Sequence, residues 1–146
     1  MIKEVKNLIP RERRILFYIL ASAFIIKIIL SFVLKSDILS DSLDYYKIAK
    51  SILETGSYSM DGKPTTYVVC GYPLFLAGIF KIFGDSFLAI KIIQSVLEIF
   101  TGLFFFLSSL YFFKPRYALL SLLIFTFLPS NLLYSQTILT EPLYGF

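Results

Sequence analysis

Apolar residues in this chain fall in long runs separated by short polar breaks. Residues 15 to 34, ILFYILASAFIIKIILSFVL, are apolar at nearly every position, and IIQSVLEIFTGLFFFLSSLYFF (92 to 113) and YALLSLLIFTFLPSNLLY (117 to 134) repeat the pattern. Runs of about 20 apolar residues match the hydrocarbon thickness of a bilayer, so each is read as a membrane-spanning helix. The segment between the first two, residues 35 to 87, is mixed and patterned differently. Tyr45, Ile48, Ala49, Ile52 and Leu53 recur at i, i+3, i+4, i+7 and i+8, which predicts an amphipathic helix over 42–54 stopped by Gly56. In GSYSMDGKPTTY, Asp61-Gly62 and Lys63-Pro64 then predict a tight, hairpin-like loop. The stretch YVVCGYPLFLAGIFKIF (67 to 83) is apolar too, but Gly71 and Pro73 interrupt it early and Lys81 shortens the rest. It is read as a helix lying in the membrane interface with its apolar face in lipid.

The fold class that follows is an all-α integral membrane protein. It has about three transmembrane helices, the start of a fourth near the carboxyl end, and a long extracytoplasmic loop containing amphipathic helices. Charge supplies the orientation. KNLIPRERR before the first run and the short KPR turn at 114–116 are basic, which places both in the cytoplasm. The 35–87 loop balances lysines against carboxylates and crosses a membrane more readily than a short basic one. The expected topology is in, out, in, out: a multi-pass protein of the cell membrane with residues 35–87 and the carboxyl terminus outside. The first run is longer than the apolar core of a signal peptide, and SFVLKSDILSDS offers no small-x-small cleavage site, so it is read as uncleaved.

Composition narrows the chemistry. The net charge of +4 is modest and much of it sits at the amino terminus, so no nucleic-acid surface is expected and the bilayer is the first partner. The single cysteine, Cys70, excludes a disulfide within the chain. With no histidine and no cysteine cluster, a transition-metal site is not expected, and no cofactor is implied.

The residues with chemical potential are few. LSDSLDYYKIAKSILETG, 39 to 56, sets Asp41 and Asp44 one helical turn apart beside the outer end of the first span. Asp41 or Ser42 suits an N-cap, and Asp41-x-x-Asp44 resembles a capping box with a shortened acid. A carboxylate there also suits a general base. Asp44 is expected to pair with Lys47 on the helix surface. Glu141 precedes Pro142, so it also suits a helix N-terminus. Inside the spans, Lys27 and Glu98 lie about 12 Å and about 9 Å from the outer ends at roughly 1.5 Å per residue. At those depths they either neutralise each other or face a wet cavity separately.

The order of features carries a resemblance. A first span is followed by DSLDY and an amphipathic helix ending at Gly, then GYPLFLAGIFKIFG, a spanning helix, a basic turn, and an apolar helix ending in LLYSQTILTEPLY. This resembles the amino-terminal part of GT-C class membrane glycosyltransferases, above all the bacterial relatives of dolichyl-phosphate-mannose protein mannosyltransferases and the aminoarabinose transferases of lipid A. The likeness covers almost the whole chain, residues 1–146, and the first portion of such an enzyme. The sequence closes on TEPLYGF, where another helix would begin, as expected of an amino-terminal segment that is inactive alone.

The resemblance implies transfer of a sugar from a polyprenyl-phosphate carrier to an acceptor lipid, glycan or protein outside the cytoplasm. It implies Asp41 as catalytic base, because Tyr45 follows at the family spacing, and Glu141 as the second acidic residue. It also implies Tyr45 and the turn Gly71, Tyr72 and Pro73 as substrate-binding positions. Val68, Val69 and Cys70 stand where the family often carries prolines. A phosphate leaving group departs without protonation, so one base is enough, and the donor's charge should attract Lys or Arg. The alternative is a small membrane scaffold, or a transporter segment in which Lys27 and Glu98 line a pathway, without catalytic activity.

Overall fold

The computed structural model describes residues 8–35 and 41–145. The chain is mostly helical, with α1 (Pro10–Val33), α2 (Asp41–Thr55), α3 (Gly71–Phe83), α4 (Phe87–Ser109), α5 (Pro115–Phe127), α6 (Pro129–Tyr134) and α7 (Glu141–Tyr144). Two short strands, β1 (Ser59–Met60) and β2 (Lys63–Pro64), lie between α2 and α3.

Helices α1 and α4, of 24 and 23 residues, are long and apolar enough to cross a membrane. Both begin about five residues before the apolar runs suggest, because their start signals are polar. Pro10 occupies the first helical position and Glu12 reaches back to accept the Ile9 N–H at 3.1 Å. Ser86 caps α4 by accepting the Ala89 N–H at 3.3 Å.

The third expected span is not continuous. Pro129 lacks a backbone N–H and crowds the residue before it, and Leu128 accordingly adopts extended geometry (φ −61°, ψ 130°). α5 therefore ends after 13 residues, α6 adds six more, and the chain then runs without regular structure to Thr140. The Phe125 carbonyl beside the break accepts the Asn131 side-chain amide at 2.8 Å.

The outer segment folds onto itself. Gly56 closes α2 at φ 69°, its N–H donating to the Ile52 carbonyl. Of the predicted face, Ile48 and Ala49 are buried and Tyr45 and Ile52 half-buried, while Leu53 is exposed. Ser59 pairs with Pro64 and Met60 with Lys63; Asp61 (φ 50°) and Gly62 (φ 78°) make the turn, whose two positive φ angles match a type I′ hairpin. α3 departs from its expected role: Tyr72, Leu76, Ala77, Ile79 and Phe80 turn inward, and its main packing partner is α2. Amphipathic α2 offers this face an apolar match within the protein, leaving Leu74, Ile82 and Phe83 as the exposed apolar part of α3.

Two cores result. One gathers Ala49, Tyr72, Leu76, Phe80, Ile90 and Ile138. The other joins Ile19 of α1, Phe106 of α4 and Ala118, Leu119 and Leu122 of α5. Gly102 sits where these three helices crowd together: a Cβ there would lie 3.2 Å from Thr126 Cγ2, 3.5 Å from Leu122 Cδ1 and 3.7 Å from Leu20 Cδ2.

Candidate functional site

The first turn of α2 forms one wall of a cleft of about 540 Å³, with Asp41, Asp44 and Tyr45 on it. Facing them are Tyr67, Val68 and Val69 from the approach to α3, and Thr140 and Tyr144, the N-cap and the last residue of α7. Asp41 is exposed and is the first residue of α2; the position ahead of it lies outside the described residues. The Ser42 hydroxyl donates to the Ile138 carbonyl at 2.9 Å, so it ties α2 to the 128–140 segment. Tyr45 packs edge-on against Tyr72, with ring centroids 5.0 Å apart. Burial first, and then the charge of Asp41, push the Tyr45 phenol above its ordinary range; Glu141 pushes the same way and a hydrogen bond with Thr140 opposes them.

The other predicted positions separate. Lys47 pairs with Asp61 at 3.0 Å instead of with Asp44, because the hairpin turn brings Asp61 within its reach. Gly71 backs onto Tyr144, where a Cβ would meet the phenol oxygen at 3.3 Å. Tyr72 and Pro73 are fully buried and line neither cavity; the Tyr72 ring packs beneath Tyr45. The Tyr72 phenol accepts the Gln94 amide at 3.1 Å, and burial pushes it well above the ordinary tyrosine range.

Glu141 lines a different cavity, of about 440 Å³, with Lys27, Glu98, Thr101, Phe104, Phe105, Phe125, Asn131 and Tyr134 among its neighbours. Asp41 and Glu141 therefore do not share a cleft. Glu141 belongs to the Thr140–Tyr144 turn, whose end residues face Asp41, and the phenol of Tyr45 feels both charges. Within the second cavity the two buried charges meet: Lys27 and Glu98 form an ion pair with side chains 3% and 13% exposed. Lys27 also donates to the Asn131 carbonyl and, at 3.2 Å, to Ser135 Oγ. Nearby, the buried Lys91 ammonium donates to the Leu34 carbonyl at 2.5 Å and so caps the end of α1.

Gln94, Ser31 and Gln136 are buried polar groups that the sequence reading passed over. A signal was present: Lys27 and Ser31 on α1, and Gln94 and Glu98 on α4, each stand four residues apart within apolar runs and so share a helix face. Electrostatically the first cleft carries two carboxylates. The second opposes Lys27 with Glu98 and Glu141, and among the described residues Lys27 is the only cation lining either. Comparison of this chain with protein-family models, curated proteins and solved structures finds no match.

Proposed function

We propose that this chain forms the amino-terminal part of a GT-C-type membrane glycosyltransferase that takes its sugar from a polyprenyl-phosphate carrier outside the cytoplasm. The observation that carries the reading is the Asp41 cleft. Asp41, Asp44 and Tyr45 of the DSLDY stretch face Thr140 and Tyr144 of the TEPLY stretch across one cavity despite their separation in sequence, while Glu141 between those two faces the adjoining cavity. In this reading α1 and α4 cross the bilayer, α5 with the segment after it makes a third passage, and residues 41–83 lie outside. Exposed Phe17, Ile25, Ile29 and Phe32 on α1, Phe100 and Phe104 on α4, and Leu120 and Ile124 on α5 support lipid contact along those helices.

Asp41 takes the proton of the acceptor hydroxyl or amine as that atom bonds to the anomeric carbon. The polyprenyl phosphate leaves with the electron pair of the broken C–O bond and needs no proton; the acceptor attacks directly, opposite the departing phosphate, so the anomeric centre inverts. Glu141, across the Thr140 turn, is the second acidic residue and adds negative potential that favours the proton's departure toward this face. Tyr45 shapes the cleft wall between them. Lys27 is committed to Glu98, so the donor phosphate is held by cations other than those lining the two cavities.

The test uses membranes containing the full-length protein from its source, a radiolabelled polyprenyl-phosphate sugar and endogenous acceptors. Label transfer above a vector control is expected. Asp41→Asn should lower turnover roughly 10²- to 10⁴-fold while Asp44→Asn stays within a few-fold. Unchanged turnover in Asp41→Asn removes the base assignment, and no transfer from any carrier-linked sugar sinks the enzyme reading. The transporter alternative has the Lys27–Glu98 pair beside a cavity in its favour, and it would instead show solute flux abolished by Lys27→Met.

A further inference from the structure

The break at Pro129 creates a strap, residues 128–140, that runs between apolar helices with much of its backbone outside regular structure. Backbone carbonyls in such surroundings need donors, because water is scarce and an unmet polar group is costly. The donors come from three helices. Lys27 of α1 serves the Asn131 carbonyl, Ser42 of α2 the Ile138 carbonyl, and Gln94 of α4 the Leu139 carbonyl at 3.2 Å. Ser31 donates to Gln136 Oε1 at 2.9 Å, and Gln136 Nε2 donates to Ser135 Oγ at 2.8 Å, the same hydroxyl that accepts Lys27. The polar stripes on α1 and α4 thus converge on the strap.

A simple ion pair between α1 and α4 would need none of these bonds. Lys27 is engaged in both: Glu98 supplies the counter-charge, and the remaining ammonium protons go to the strap. The strap in turn is bonded to Ser42, next to Asp41, and ends at Thr140, on the opposite wall of the cleft.

We infer that Lys27 is a positioning residue for the Asp41 cleft. By holding the Asn131 carbonyl and the Ser135 hydroxyl it fixes the strap that sets Thr140 and Tyr144 against Asp41 and Tyr45. The inference rests on the function proposed above in taking that cleft as the reaction site.

Its test does not depend on activity. In a Cys70→Ser background of the full-length protein, Gly71→Cys and Tyr144→Cys place two thiols on either side of the gap that the Tyr144 ring spans in the native chain. A short bifunctional thiol reagent should join them, and the rate of joining reports how firmly the Tyr144 end of the chain is seated. Lys27→Met should lower that rate roughly tenfold, the scale of one lost charged hydrogen bond. Lys27→Arg should restore most of it. Lys27→Met/Glu98→Leu leaves no lone buried charge, so it should fold even where the single variant fails, and its rate should stay low. Folding is followed by monodispersity and thermal midpoint in detergent. A folded double variant that cross-links at the parent rate overturns the inference. So does loss of the folded state in the double variant, since the pair would then hold the bundle and not the strap in particular. If cross-linking falls as expected while Asp41→Asn keeps full turnover, the proposed base fails and the positioning role stands.

Discussion

Asp85 shows how a single exposed carboxylate can fasten two elements. It precedes α4, and it accepts the Tyr46 hydroxyl at 2.5 Å and the Lys50 ammonium at 2.9 Å, both from α2. Burial alone would raise its pKa, but Tyr46 and Lys50 outweigh burial and hold the carboxyl below its ordinary 3.8. A depressed folded pKa gives stability that is present above the unfolded value and lost as the pH falls through the folded one, an acid window below about 3.8. Lys50 is shifted the other way, chiefly by its hydrogen bond with Asp85, so its contribution is complete below 10.5 and fades as the pH rises through its folded value. Stability from this cluster is therefore flat across neutral pH. Asp85→Asn should lower the thermal midpoint of the solubilised protein by about 1–4 °C at pH 7, in keeping with a partly exposed pair. The variant and the parent should converge in the acid window, and a gap that persists there would mean that packing, not charge, is lost. The contrast with Lys47 shows what sequence can reveal at this scale. Its nearest acid along the helix, Asp44, was the natural partner by spacing, yet Asp61 won because the 59–64 hairpin folds back alongside α2 and carries Asp61 to Lys47. The similar depth of Lys27 and Glu98 was legible as simple arithmetic along the two apolar runs, which left pairing and separate exposure both open, and the structure shows the pair. The Asn131 carbonyl was not legible, since it comes within reach only because the chain breaks at Pro129 and restarts as α6.

Among the elements, the helices that were read well are those whose apolar pattern and punctuation agree. The period of Tyr45, Ile48, Ala49 and Ile52 and the stop at Gly56 both describe α2, and Asp61-Gly62 describes the hairpin turn. The segment 117–134 was expected as one continuous helix because hydropathy counts Pro129 as one weak position in an apolar run, whereas its missing N–H ends the helix there. α3 was read as an interfacial helix because Gly71, Pro73 and Lys81 leave its apolar run too short to cross; that α2 would cover its inward face emerges only in three dimensions. Helix–helix contact at Gly102 makes a quantitative claim. A methyl there would press on the Thr126 methyl at 3.2 Å, which a shift of a few tenths of an ångström relieves, so Gly102→Ala should cost less than about 1 kcal/mol. Gly102→Leu must displace Leu122 and Leu20 as well, and should cost about 1–3 kcal/mol in denaturant titrations of the solubilised protein. Equal effects of the two variants would show that the α1–α4–α5 junction is looser than these distances require.

For the whole molecule, the two long helices α1 and α4 leave large apolar side chains facing outward, and the polar groups of the site lie toward α2, α3 and the strap. The proposed orientation rests on the charge rule, which the sequence displays openly: basic residues flank the start of α1 and fill the 114–116 turn. That orientation places the Asp41 cleft and Cys70 on one side of the membrane and the end of α4 on the other. Cys70 is exposed at the start of α3, and Phe112, 83% exposed, follows α4 directly, so the two positions bracket the helix whose crossing is in question. Phe112→Cys in a Cys70→Ser background leaves every charge in place and therefore does not disturb the signal under test. In intact cells a membrane-impermeant maleimide should label Cys70 in the parent protein, and should label the Phe112→Cys variant only after permeabilisation. The reverse pattern would invert the topology and put the proposed site in the cytoplasm, where the lipid-linked donor chemistry inferred here would have to be abandoned. Labelling of both positions from the same side would mean that α4 does not cross at all. In that case the outward apolar faces of α1 and α4 would need a protein partner to cover them, and the membrane reading would fall with the topology.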